Sequence, residues 1–155
     1  MPRQRQNLEH QALERFEEIA RKYCCPLFKG QGSDNRISIE GKTYFQFGDL
    51  RVDTGNYYVV IEVESAGGVT NLVKYWHCLE NRASDIEKPV VLFHVFRQVS
   101  RNDYGSHLVL WDFLWNKMSN ALGDTRIKAA RYTYRDLQGL EPVINEFEKH
   151  LKHKA

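Results

Sequence analysis

Three carboxylates, Asp49, Glu62 and Glu64, carry the most specific chemistry in this chain, and all lie in the stretch 44–75, YFQFGDLRVDTGNYYVVIEVESAGGVTNLVKY. Gly55-Asn56 is a two-residue hairpin dipeptide between two strand-like runs. A loop of that length pairs Thr54 with Tyr57, which sets Asp49 opposite Glu62 and leaves Glu64 two residues further along the same face. Like charges facing each other on a sheet repel. Three acids on one face therefore need a cation, protonation or open solvent. A hard divalent ion answers that need, because carboxylate oxygens suit Mg²⁺ or Mn²⁺, which keep several waters and take one or two protein carboxylates plus a substrate phosphate. That is phosphodiester chemistry. The alternative is a solvated outer face of an antiparallel hairpin, where acids are routine.

The elements that must position these acids follow from periodicity. Apolar residues at helical spacing from Leu8 to Tyr23, with Asn7 as N-cap, predict an amphipathic helix over 8–23. Its Glu9, Glu14, Glu17 and Glu18 read as a solvated face, although a site packed against the helix brings one of them near. KGQGSDNR reads as loop, with no phosphate-binding fingerprint in Gly30 and Gly32. Strands are predicted over 36–40, 43–53 and 57–64. The hairpin register puts Leu50, Val52, Val59, Ile61 and Val63 on one face, and Phe47, Asp49, Arg51, Val60, Glu62 and Glu64 on the other. After Gly67-Gly68, Thr70 caps a helix whose apolar stripe is Val69, Leu72, Val73, Trp76 and Leu79, with Asn71, Lys74, Tyr75 and Cys78 beside it. The run PVVLFHVF at 89–96 is apolar throughout, as in a strand covered on both faces. A helix over 107–122 stopped by Gly123, a strand over 127–134 and a helix over 142–151 complete the order. The expected fold is α/β: a mixed central sheet flanked by helices in the order α-β-β-β-α-β-α-β-α, one domain over 1–155 with a short flexible N-terminus and a basic, frayed C-terminal tail.

GDLRV followed by IEVES, with twelve residues between Asp49 and Glu62, resembles the PD-(D/E)XK, or restriction-endonuclease-like, nucleases, in which an Asp opens a hairpin and the second strand carries an acid, one residue and then Lys. The order of elements over nearly the whole chain is similar to that family's core. The resemblance implies a restriction-endonuclease-like fold and a Mg²⁺- or Mn²⁺-dependent endonuclease acting on DNA. Asp49, Glu62 and the Val63 backbone carbonyl would hold the metal. Two residues depart from the pattern: Gly48 stands where Pro is common, and Glu64 stands where Lys is usual. A carboxylate at 64 accepts a proton from the attacking water or holds a second metal, where a lysine would orient that water. The same departure fits a non-catalytic nucleic-acid-binding or assembly module of that fold. Lys74 is a substitute cation, or an ordinary surface lysine. Asn71-Leu-Val-Lys-Tyr75 also resembles the Gln-x-x-x-Tyr element of some of these nucleases.

The remaining residues narrow the classes. Arg97, Arg101, Arg126, Lys128, Arg131 and Arg135 fall near strand ends and loops, either as phosphate contacts or as scattered solubilising charge. No histidine pair has metal spacing, His94 reads as a hydrogen-bonded core residue, and no Ser, Thr or Cys stands on a nucleophile turn. The three cysteines lack zinc-knuckle spacing and read as reduced, buried thiols. With 42% hydrophobic and 27% charged residues over 155 positions the chain is an ordinary globular domain, and a net charge of +2 gives no global basic footprint. No apolar run is long enough for a membrane span, and the opening residues lack a signal-peptide segment, so the expected setting is cytoplasmic with no membrane partner. Cutting both strands of a duplex with one small site calls for a pair of protomers, which makes a homodimer the assembly to test.

Overall fold

In the computed structural model the strand Tyr58–Glu64 is buried along all but its last residue, and the other elements are arranged around it. The structure describes residues 2–64, 68–98, 105–123 and 125–153, with side chains from residue 8 onward. In chain order the elements are α1 (Pro2–Lys22), β1 (Leu27–Lys29), β2 (Arg36–Glu40), β3 (Thr43–Gln46), β4 (Leu50–Asp53), β5 (Tyr58–Glu64), α2 (Val69–Glu80), β6 (Val90–Arg97), α3 (Gly105–Leu122), β7 (Ile127–Tyr134) and α4 (Leu137–Lys152). Five strands form one sheet in the order β1-β4-β5-β6-β7, and β2 and β3 form a separate hairpin. β4 is antiparallel to β5, while β6 and β7 run parallel to it. The sheet is mixed, and helices flank it.

Alternation along β4 and β5 sorts their side chains onto two cores. Leu50, Val52, Val59, Ile61 and Val63 pack with Phe16 and Ile19 of α1 and Val143, Ile144 and Phe147 of α4. Phe47, Tyr58 and Val60 pack on the opposite face with Leu72, Tyr75 and Leu79 of α2 and Trp111 and Met118 of α3. The register is the one the turn dictates: Leu50 faces Ile61, Val52 faces Val59 and Asp53 faces Tyr58, closed by Thr54 N–H to the Tyr57 carbonyl at 3.1 Å. β6, covered on both faces, has the continuous apolar run expected of a central parallel strand.

Several boundaries differ from the periodicity, each for a physical reason. The single strand expected over 43–53 is broken at Gly48, whose φ of +81° is open to glycine, and a Cβ there would lie 2.4 Å from Val60 Cγ1. Asp49 N–H then bonds the Ile61 carbonyl at 2.9 Å while Leu50 pairs with the same residue, so two residues oppose one as in a β-bulge. The edge strand β1, paired with β4, was not expected, and its last residue, Lys29, opens the segment read as loop. Helix α1 begins at Pro2, so Asn7 lies inside it; α3 begins at Gly105. Helix α4 starts at Leu137, where the Asp136 side chain accepts from Gly139 N–H at 2.7 Å, so Pro142 falls inside the helix. The basic end expected to fray is helical through Lys152, with Leu151 buried. Of the free cysteines, Cys25 and Cys78 are buried, and burial pushes the Cys78 thiol up to about 11, but Cys24 is exposed, against expectation. Among the described residues no helix is long and apolar enough to cross a membrane.

Candidate functional site

Asp49 stands at the bulge that opens the hairpin, and the bulge aims its carboxylate across the end of β4. Oδ2 accepts from the Val63 N–H at 2.9 Å, and Oδ1 accepts from Gln46 Nε2 at 3.1 Å. Burial raises its pKa, the Val63 N–H opposes that, and the nearby Glu64 charge adds to the rise. In an extended strand the N–H and C=O of one residue face the same edge, so the Val63 carbonyl looks toward the edge where Asp49 lies.

Glu62, on the next strand and near enough to feel the Asp49 charge, is 2% exposed. Its Oε1 accepts from Lys74 Nζ at 2.7 Å and from Tyr75 Oη at 2.8 Å. Both donors come from α2, whose inward face is Leu72, Lys74, Tyr75, Cys78 and Leu79 rather than the expected stripe; Val73 is 43% exposed. The rotation has a cause in charge: a buried carboxylate on β5 is tolerable only with a cation against it, and Lys74 is that cation. Lys74 is therefore an inward-facing ion-pair partner and not a surface lysine. Burial still raises the Glu62 pKa, with Lys74 the main opposing influence, and burial beside Glu62 holds the Tyr75 phenol well above its ordinary value.

Glu64 lies at the beginning of α2. Asn71 Nδ2 donates to its Oε1, and His94 Nε2 lies 3.4 Å from the same oxygen. Gly68, with φ +93°, is the N-cap in place of Thr70, and a Cβ on it would fall 2.4 Å from Glu64 Cδ. The carboxylate thus fills the space that a side chain at 68 would need, near the positive end of the helix dipole. His94, fully buried on β6, is the parallel-ladder partner of Glu62, and its Nδ1 accepts from Trp111 Nε1 at 2.9 Å.

These three acids therefore share one end of the sheet, where the Glu64 charge pushes the Asp49 pKa up and the Asp49 charge does the same to Glu62. Among the described residues no set of three His, Cys, Asp or Glu side chains converges closely enough to grip a metal as they stand. The donor set nevertheless suits a hard cation in kind: carboxylates, a backbone carbonyl on the same edge, and a second oxygen on Glu62 and Glu64 outside the bonds just described. Helix α1 contributes as well. A cavity of about 210 Å³ beside Asp49 is lined by His10, Glu14 and Glu17 of α1 and by Lys29, so two of the four helix glutamates approach the site; Glu17 is paired with Lys29 at 3.1 Å.

The basic residues do not gather here. Arg97 ends β6 at the same end of the sheet as Glu64, but on the opposite face by alternation. Arg126 and Lys128 lie at the other end, where the Arg126 guanidinium donates to the Leu79 carbonyl at the close of α2. Arg131 is paired with Asp112 at 2.7 Å, and Arg101 lies outside the described residues. His94 is the buried, hydrogen-bonded core residue expected of it, but sequence reasoning did not foresee its contact with Glu64, passed over Gln46 and the Trp111 bond, and valued Tyr75 only as part of a short motif.

No family model, no curated protein and no solved structure matches this chain.

Proposed function

We propose that the chain is a metal-dependent nuclease that hydrolyses phosphodiester bonds in DNA on a restriction-endonuclease-like scaffold. The observation that carries this reading is that Glu62 lies within reach of the Asp49 charge and is paired with Lys74, which supplies from α2 the cation that the second strand lacks at Glu64. Asp49, Glu62, Glu64 and the Val63 carbonyl would hold Mg²⁺ or Mn²⁺. When bound, the ion supplies Lewis-acid stabilisation of the phosphoryl oxygens and acidifies a coordinated water. Glu64 accepts the proton of the attacking water as its oxygen bonds to phosphorus and the bond to the leaving nucleoside oxygen breaks. Lys74 offsets the charge on Glu62 and offers donors to phosphate. Tyr75 fixes the Glu62 rotamer.

A plasmid-nicking assay tests the reading. Cleavage is expected with Mg²⁺ or Mn²⁺, to vanish with a chelator, and to fall by roughly a thousandfold in Asp49→Ala and in Glu62→Ala, the scale of losing a principal transition-state contact. Metal-independent cleavage, or cleavage surviving in either variant, would sink it. One observation favours a second reading, a nucleic-acid-binding module without hydrolysis: Lys74 already neutralises Glu62 at 2.7 Å. DNA binding without nicking would select that reading. Light scattering of the protein with and without a DNA duplex tests the homodimer.

A further inference from the structure

We infer that His94 and Trp111 form a positioning pair for Glu64, fixing one of its carboxylate oxygens so that the other faces the reaction. This rests on the reading above, in which Glu64 handles the attacking water.

The indole N–H of Trp111 only donates, so the His94 Nδ1 it reaches at 2.9 Å must carry a lone pair. The imidazole proton is thereby placed on Nε2. That nitrogen lies 3.4 Å from Glu64 Oε1. The ring cannot easily turn away: it packs on Phe96 with centroids 4.4 Å apart, and both His94 and Trp111 are buried. Asn71, from α2, donates to the same Oε1. Two donors from two different elements thus share one oxygen, and Oε2 is left outside these bonds.

A core histidine with no further task would need only a partner for each nitrogen, and here the partner of Nε2 is an acid that the proposed chemistry uses. A histidine bonded in this way to a working carboxylate sets its orientation, as supporting ligands do around metal sites. His94 touches neither phosphate nor the leaving group, so it is a positioning residue.

The test has two arms. In protein labelled with ¹⁵N-histidine, the wild type is expected to show His94 protonated on Nε2 and not on Nδ1, with an exchange-slowed Hε2 resonance that disappears in Glu64→Ala. A proton on Nδ1, or an Hε2 resonance indifferent to Glu64→Ala, overturns the proposal whether or not the protein cuts DNA. In the nicking assay with Mn²⁺, His94→Phe is expected to lower kcat by about tenfold to a hundredfold, the usual range for a supporting hydrogen bond, with KM for DNA nearly unchanged. His94→Gln, whose amide still donates to Glu64, is expected to recover most of that loss. Equal losses in the two variants, or losses that follow only their melting temperatures, overturn it. If the wild type does not cut, the nuclease reading has failed by itself, and the labelled spectra still decide whether His94 holds Glu64.

Discussion

At the scale of single residues, the acids at the hairpin mouth differ in what neutralises them. Burial leads in raising the Asp49 pKa, so the folded state holds that proton more tightly than the unfolded chain does. As pH rises through the ordinary aspartate range and past the raised value, the fold loses stability. Asp49→Asn is therefore expected to raise the urea midpoint of the metal-free protein at pH values above the aspartate range, the gain shrinking as the solution is acidified. Glu62 is also raised by burial, but its carboxylate faces Lys74 at 2.7 Å with 3% of the Glu62 side chain and 9% of the Lys74 side chain exposed. Glu62→Gln strands a buried ammonium, and the expected result is a loss of about 3 kcal/mol. Urea midpoints at two pH values for both variants separate these signs. Added Mg²⁺ is expected to raise the wild-type midpoint by preferential binding to the folded state, and to do so less in Asp49→Asn.

At the scale of elements, two helices end in the same way on residues poorly suited to the task. At the close of α1 the Cys25 N–H reaches the Ala20 carbonyl and Cys24 N–H reaches Arg21, with Cys24 at φ +53°; at the close of α2 Ala83 reaches Cys78 and Arg82 reaches Leu79, with Arg82 at φ +54°. Both are Schellman motifs whose left-handed position favours glycine. Cys24→Gly and Arg82→Gly are each expected to stabilise by about 0.5–1 kcal/mol, read as an increase in melting temperature, because glycine adopts that conformation without the Cβ penalty. The capping also shows what a sequence discloses. The Gly55-Asn56 turn and the alternation through Val59, Ile61 and Val63 encode the hairpin register locally, so the pairing from Asp53–Tyr58 to Leu50–Ile61 was legible; the bulge that sets Asp49 against Ile61 instead of Glu62 was not. The three-residue β1 was not, because pairing with β4 and not its own pattern makes it a strand. The rotation of α2 was hidden for a related reason: Val73 and Lys74 exchange their expected places only because Glu62 waits on a strand twelve residues earlier. The Trp111–His94 contact joins α3 to β6, and nothing near either residue announces it.

At the scale of the whole molecule, the acids of the candidate site lie at one end of the sheet and Arg126 and Lys128 at the other. Glu62 and Glu64 lie at the carboxyl ends of parallel strands, the usual place for a ligand in such sheets. Arg126 lies at the opposite end: its carbonyl receives the Val90 N–H, and Val90 is level with Tyr58, six residues before Glu64 on β5, a separation of roughly 20 Å along the sheet. The two ends should respond differently to substitution. Arg126→Ala removes the donor to the Leu79 carbonyl and is expected to lower stability by about 1–2 kcal/mol while leaving the nicking rate of the folded fraction unchanged. Lys128→Ala, on an exposed position of β7, is expected to change neither. Denaturant midpoints and DNA affinity across a salt series check both together. If that end instead carries the nucleic acid, each substitution weakens binding for all sequences and flattens the dependence of log affinity on log salt by about one phosphate contact, which stability alone cannot imitate.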